Sequence, residues 1–290
     1  MTDTVPFRPR RSCLYMPGAN ARALEKAKTL DTDVVIIDLE DAVAPESKVA
    51  ARLEVTKAVE SKNYGNREVV VRVNSFDSEW GRADMVAAVS AEPDAILVPK
   101  IISAEDIYQL DAAISNIDSA SQVQLWVMIE MPEAVLNIRE IAAAARSTRL
   151  SAFVIGLNDL AKEMQAAFTP DRQAFQYALS TTLMAARAFG LVVIDAVFND
   201  IKADAGFVQE CEQGKVMGFD GKSLIHPSQL EVANKIYSPS AEEIEHSQCV
   251  IDAFSLPENK NVGVLRVNGK MTERLHLEQA ERIVAIAKKI

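Results

Sequence analysis

Short aliphatic runs recur along the chain, each followed by a polar turn and a stretch with apolar residues at helical spacing. The runs are Ser12 to Met16, Val34 to Ile37, Glu68 to Val73, Ala95 to Val98, Trp126 to Ile129, Ala152 to Ile155, Val192 to Val197 and Val216 to Phe219. They are nearly continuous rather than alternating, as expected of strands covered on both faces. Helix starts fall between them. Asn20 is placed to cap a helix carrying Ala23, Leu24, Ala27 and Leu30, Pro45 opens one through Val59, Ser103 and Asp106 form a capping pattern for one through Ile114, and Pro132 starts one through Ala145. Eight strand-helix repeats predict an α/β fold, a (β/α)8 TIM barrel, over an open doubly wound sheet. No Gly-x-Gly-x-x-Gly follows any run, which weakens a dinucleotide-binding reading.

After Pro239 the periodicity changes. Ala241 to Phe254 reads as a helix, Val262 to Val267 as a strand closed by the turn Asn268-Gly269, and Glu273 to Ile290 as a last amphipathic helix. The expected division is a barrel over residues 1–238 and a small C-terminal helix-hairpin-helix appendage over 239–290.

Charge and cysteine content narrow the partners. Acidic residues exceed basic ones, 41 to 31, for a net charge of −10. That argues against a nucleic-acid surface, which needs clustered Lys and Arg. Cys13, Cys211 and Cys249 form no Cys-x-x-Cys pair, so neither a disulfide framework nor a zinc cage is expected. Leu14 to Pro17 is too short for a signal core, and no apolar run reaches membrane-spanning length. The expectation is a cytoplasmic protein that meets no membrane and takes a small molecule.

Five of the runs end in charged residues in the same sense: Asp38, Glu40 and Asp41 after the second, Arg72 after the third, Lys100 after the fourth, Glu130 after the fifth and Asp159 after the sixth. In a parallel barrel these are the carboxyl ends of the strands, where ligands bind. Glu130 and Asp159 belong to neighbouring strands, and two carboxylates without Cys or His suit a hard cation, Mg2+ with several waters. Each would alone also serve as an acid at a helix N-terminus. Arg72 is placed to bind a carboxylate or a developing oxyanion, or to pair with a rim acid. Asp38, Glu40 and Asp41 are expected to orient metal-bound water. Lys100 is a weaker candidate, since a single Lys after a strand is commonly solvated, and Tyr15 and Arg22 flank the first turn.

The stretch Gly218-Phe-Asp-Gly-Lys-Ser-Leu-Ile-His-Pro227 is dense in special residues. Its glycines permit unusual backbone angles or close approach to a ligand, and Asp220, Lys222 and His226 add polar heads. His226 before a proline reads first as a satisfied loop histidine.

Taken in order, Arg11-Ser-Cys-Leu-Tyr-Met-Pro-Gly-Ala-Asn20, Asp38-Leu-Glu-Asp-Ala-Val43, Arg72-Val-Asn74, Ile129-Glu-Met-Pro132, Gly156-Leu-Asn-Asp-Leu160 and Gly218 to Pro227 resemble the citrate lyase β-subunit family. That family includes malyl-CoA and citramalyl-CoA lyases, within the HpcH/HpaI aldolase superfamily. The resemblance implies Mg2+ on Glu130 and Asp159, substrate carboxylate on Arg72, a first loop that holds CoA with Arg22, and a homotrimer or hexamer. The activity implied is a carbon–carbon lyase that splits a citramalyl-, malyl- or citryl-CoA-like thioester into an acetyl thioester and a 2-oxo acid, or the reverse. The competing readings are a citrate lyase β subunit acting on a citryl acyl carrier protein, a pyruvate-class aldolase without thioester, and a non-catalytic acid- or CoA-binding protein. Stand-alone lyases of the family read Gly-Lys-Met-Ile-Asp-x-Pro in the appendage, where this chain has Gly269-Lys-Met-Thr-Glu-Arg-Leu275. Glu273 then stands where the family's acid would, one methylene longer, as the group to protonate an enolate in a neighbouring subunit.

Overall fold

The computed structural model describes residues 8–201 and 205–290. They form two compact units, one spanning 10–234 and one made of 8–9 with 235–290.

The larger unit is a closed, all-parallel barrel of β1 (Ser12–Pro17), β2 (Val34–Asp38), β3 (Glu68–Arg72), β4 (Ala95–Val98), β5 (Gln124–Ile129), β6 (Leu150–Ile155), β7 (Val192–Asp195) and β8 (Gly221–Leu224), with β8 returning to β1. Helices connect the strands, so the expected (β/α)8 architecture is present. Valine, isoleucine and alanine fill both faces because one packs into the barrel and the other under the helices. Cys13, Val34, Ile36, Val70, Ala95, Leu97, Trp126, Met128, Ala152, Val154 and Ile194 form the interior. At about 25 cal/mol per Å2 of apolar surface, burial of this kind drives the fold. Asn20 accepts from the Ala23 amide, and Ser103 and Asp106 close a capping box, as their sequence positions predict. The helix opened by Pro132 breaks at Asn137, whose Nδ2 donates to the Ile102 carbonyl.

The eighth strand lies elsewhere than the apolar run suggested. Val216 and Met217 end the helix Ala205–Met217, Gly218 turns the chain at φ +103°, and the strand is Gly221-Lys-Ser-Leu224. Its Lys222 and Ser223 are fully buried polar residues, invisible to a search for apolar runs. Lys222 stands between sheet and helices, 3.2 Å from Asp195 and 2.7 Å from Glu210, and Asp195 lies 2.6 Å from Arg172. Burial alone would raise the Asp195 carboxyl, but Lys222 and Arg172 outweigh it and hold the group below the usual carboxylate range.

The smaller unit carries the helices Ala241–Ser255 and Arg274–Ala287 and the antiparallel hairpin β9 (Val264–Val267) and β10 (Lys270–Glu273). Asn268 and Gly269 both adopt positive φ, as a two-residue hairpin turn requires. Val250, Phe254, Val267 and Ala280 are its core. Among the described residues no helix is long and apolar enough to cross a membrane.

Candidate active site

Strand periodicity places the polar residues. Side chains two apart share a face, so the inward positions Cys13, Ile36, Val70, Met128 and Val154 are followed at the carboxyl ends by Tyr15, Asp38, Arg72, Glu130 and Gly156. These five line a cavity of about 320 Å3 with Pro17, Asp41, Ile155, Asn158, Asp159, Val197, Ser223 and Ile225.

Two charge clusters face it. In the first, the Arg72 guanidinium is gripped bidentately by Asp38, Nε to Oδ1 at 2.7 Å and Nη2 to Oδ2 at 2.6 Å. Its Nη1 also donates to Asp41 Oδ2 at 3.2 Å, and Glu40 Oε2 approaches the same nitrogen to 3.0 Å, off the hydrogen-bond direction. Asp38 is fixed in turn, accepting from the amides of Glu40 and Ala42. The Tyr15 ring lies 4.8 Å from the guanidinium carbon, a cation–π contact. Burial pushes Glu40 up to about 8, against the pull of Arg72.

In the second cluster, Glu130 is completely buried. Its Oε1 accepts from the Lys100 amide at 2.9 Å, and its Oε2 has no hydrogen-bond partner. Asp159 stands in the first turn of the helix Leu157–Met164. Lys100 Nζ joins the two carboxylates, 2.7 Å from Asp159 and 3.4 Å from Glu130, with Glu40 at 3.9 Å. Burial disfavours that ammonium, yet Glu130 and the other acids outweigh it and hold its pKa above the ordinary lysine value. Glu130 is shifted up by burial, with Lys100 opposing. Lys100 has φ +59°, a left-handed conformation that turns both its amide and its ammonium onto Glu130. Gly156 makes room: a Cβ there would lie 2.5 Å from Glu130 Oε2.

The sequence-predicted residues thus fall in different places. Glu130, Asp159 and Arg72 share the cavity, while Asp38 and Asp41 serve Arg72. Arg22 is exposed on the helix Ala21–Ala27. Glu273 begins the helix Arg274–Ala287 as its N-cap, its amide donating to His276 Nδ1 at 2.9 Å. His226 is a loop residue whose Nδ1 accepts from the Ser228 amide. Sequence reasoning underrated Lys100 and Tyr15, both at strand carboxyl ends, the one signal available for them. Among the described residues no three His, Cys, Asp or Glu side chains form a metal cage. A cation on Glu130 and Asp159 would take its other oxygens from water or ligand, as Mg2+ ordinarily does.

Residues 11–227 match the family model described as HpcH/HpaI aldolase/citrate lyase. The chain belongs to the HpcH/HpaI aldolase/citrate lyase family. Within it, a (3S)-malyl-CoA thioesterase of Cereibacter sphaeroides is 47% identical over 282 residues, covering 97% of this chain and 96% of the relative. The citrate lyase subunit beta of Escherichia coli is 34% identical over 285 residues, covering 97% of this chain and 94% of the relative. Among solved structures, protein CitE from Mycobacterium tuberculosis, in complex with magnesium, acetoacetate and coenzyme A, superposes with a TM-score of 0.77 at 27% identity, covering 98% of this chain and 100% of that one. The cavity of this family member therefore lies where a (β/α)8 barrel holds its ligands, at the carboxyl ends of the strands.

Proposed function

We propose that the chain is a Mg2+-dependent enzyme acting on the CoA thioester of a short 3-hydroxy dicarboxylic acid, of the malyl-CoA class. The observation that carries this is the Glu130–Asp159 carboxylate pair, with a buried, unpartnered Glu130 oxygen, beside an arginine on the same cavity wall. A magnesium complex of the CitE relative supports the cation, and its coenzyme A supports the thioester. Glu130 and Asp159 would hold Mg2+, which when bound supplies Lewis-acid polarisation of the acid's oxygens.

The residues of the chain do the positioning. Lys100 fixes Glu130 through its backbone amide, and its ammonium balances the charge of Asp159. Asp38 locks the Arg72 fork, so that the guanidinium keeps one orientation before a ligand arrives. The apolar residues Ile155, Val197 and Ile225 wall the rest of the cavity and limit water around the reacting carbons.

Of the two bonds open to such a site, we assign the thioester bond, cleaved by water. The malyl-CoA thioesterase relative, 47% identical over nearly the whole chain, favours it. The second reading is carbon–carbon cleavage to an acetyl thioester and a 2-oxo acid, favoured by the citrate lyase beta relatives. That reading needs an acid for the enolate, for which Glu273 of a second copy is the candidate. Purified protein given (3S)-malyl-CoA and Mg2+ separates the two: free thiol without glyoxylate is hydrolysis, and glyoxylate without free thiol is the lyase. If neither free thiol nor glyoxylate forms, the proposal is overturned.

A further inference from the structure

Two buried side-chain oxygens on the cavity wall lack a hydrogen-bond partner, Glu130 Oε2 and the Tyr15 hydroxyl. The cation reading accounts for the first and leaves the second without a task. A buried phenol that bonds to nothing costs free energy, and the fold retains it on a residue that lines the cavity. Asp38, Glu40 and Glu130 all act on this phenol electrostatically, yet it donates to none of them.

Topology says which end of a ligand it meets. Glu130 follows β5 and Asp159 follows β6, whereas Tyr15 is on β1, four strands from β5 in a closed ring of eight. A ligand whose carboxylate and hydroxyl face the β5–β6 side reaches toward β1 with its other end. For a 3-hydroxyacyl thioester that end is the thioester carbonyl. The Tyr15 ring is meanwhile pinned against the Arg72 guanidinium, itself locked by Asp38, so the hydroxyl is held in place before a ligand arrives.

We propose that Tyr15 is a further catalytic residue, whose phenol donates a hydrogen bond to the thioester carbonyl oxygen as that oxygen gains negative charge. Burial raises the phenol's pKa, so it remains a donor and keeps its proton throughout. The inference rests on the thioester reading but on neither choice of bond. The carbonyl oxygen becomes an oxyanion when water adds to the carbonyl carbon and gives up a proton to solvent, the adduct then expelling CoA as its thiolate. It becomes an enolate oxygen when the 3-hydroxyl loses its proton and the carbon–carbon bond breaks to release the 2-oxo acid. A fixed donor stabilises both.

The test is Tyr15→Phe, which keeps the ring and its stacking on Arg72 and removes only the hydroxyl. With (3S)-malyl-CoA and Mg2+, kcat falls about 100-fold or more while KM stays within about threefold. A second readout needs no turnover: calorimetry with acetyl-CoA and with free CoA. The variant loses about threefold to tenfold in affinity for acetyl-CoA and none for CoA, which has no carbonyl at that position. Unchanged kcat together with unchanged acetyl-CoA affinity overturns the inference alone. Equal losses for acetyl-CoA and CoA would mean a structural role and overturn it as well. A wild-type protein that binds no CoA thioester overturns the thioester reading and the inference with it.

Discussion

Lys100 Nζ stands 2.7 Å from Asp159 Oδ1, so a cation of the chain itself sits on one of the two carboxylates proposed for Mg2+. The ammonium and the metal compete for the same negative charge. In Lys100→Met that competitor is gone, and Mg2+ affinity should rise about fivefold to tenfold while the metal-free protein loses about 1 kcal/mol. Titration calorimetry and thermal unfolding with and without Mg2+ read both effects. Equal Mg2+ affinity in variant and wild type would show that the two cations do not share a site.

Glu130 is buried, and burial disfavours its charged form. Glu130→Gln removes that charge from a dry place, so stability should hold or rise by about 1 kcal/mol. Mg2+-dependent turnover should be lost. A variant that keeps full activity would remove Glu130 from the metal site.

Gly156 leaves no space for a methyl group, since a Cβ would lie 2.5 Å from Glu130 Oε2 and 2.6 Å from Glu130 Cβ. Gly156→Ala should cost about 1–3 kcal/mol and displace Glu130. Urea unfolding gives the first, and a weaker Mg2+ affinity gives the second.

The bidentate Arg72–Asp38 pair is buried on both sides. Arg72→Met leaves Asp38 uncompensated and should cost about 3–5 kcal/mol, and adding Asp38→Asn should recover much of that loss. A double-mutant cycle by urea denaturation measures it. Simple additivity would mean that Asp38 finds another partner.

Glu40 carries a pH signature. Its folded pKa, near 8, exceeds the ordinary 4.5, so the native state binds the extra proton and its stabilising contribution is complete at low pH. It declines as pH rises from about 4.5 and is lost on passing through about 8. Glu40→Gln should flatten this part of the stability profile, as followed by denaturant midpoints from pH 5 to 9. A variant with the wild-type slope would assign the pH dependence to another group.

Most of the barrel was legible because its strands are what apolar-run reasoning detects. Val34 to Ile37 and Ala95 to Val98 are buried on both faces and read as such. The eighth strand escaped because Lys222 enters it with its countercharges, Asp195 and Glu210, supplied by distant segments. The helix end at Val216 and Met217 is apolar enough to have taken its place. At the site, strand ends located Arg72, Glu130 and Asp159 from spacing alone. The partners of Arg72 were not legible, since a guanidinium at a strand end suits substrate and rim acids equally. Nor was the left-handed backbone at Lys100, which no residue preference announces and which brings that side chain onto Glu130 and Asp159.

The Asp195–Lys222 contact also bears on how the ring is completed. β8 offers the apolar Leu224 but also Lys222, whose burial is offset by Asp195 and Glu210. Sliding β8 by one residue along β7 would turn Lys222 toward the interior, away from Asp195 and Glu210, and leave its ammonium unpaired in a dry medium. The last strand is therefore keyed like a lock, admitted in one register and refused in its neighbours, and it is discrimination among closures, more than added stability, that these buried charges supply.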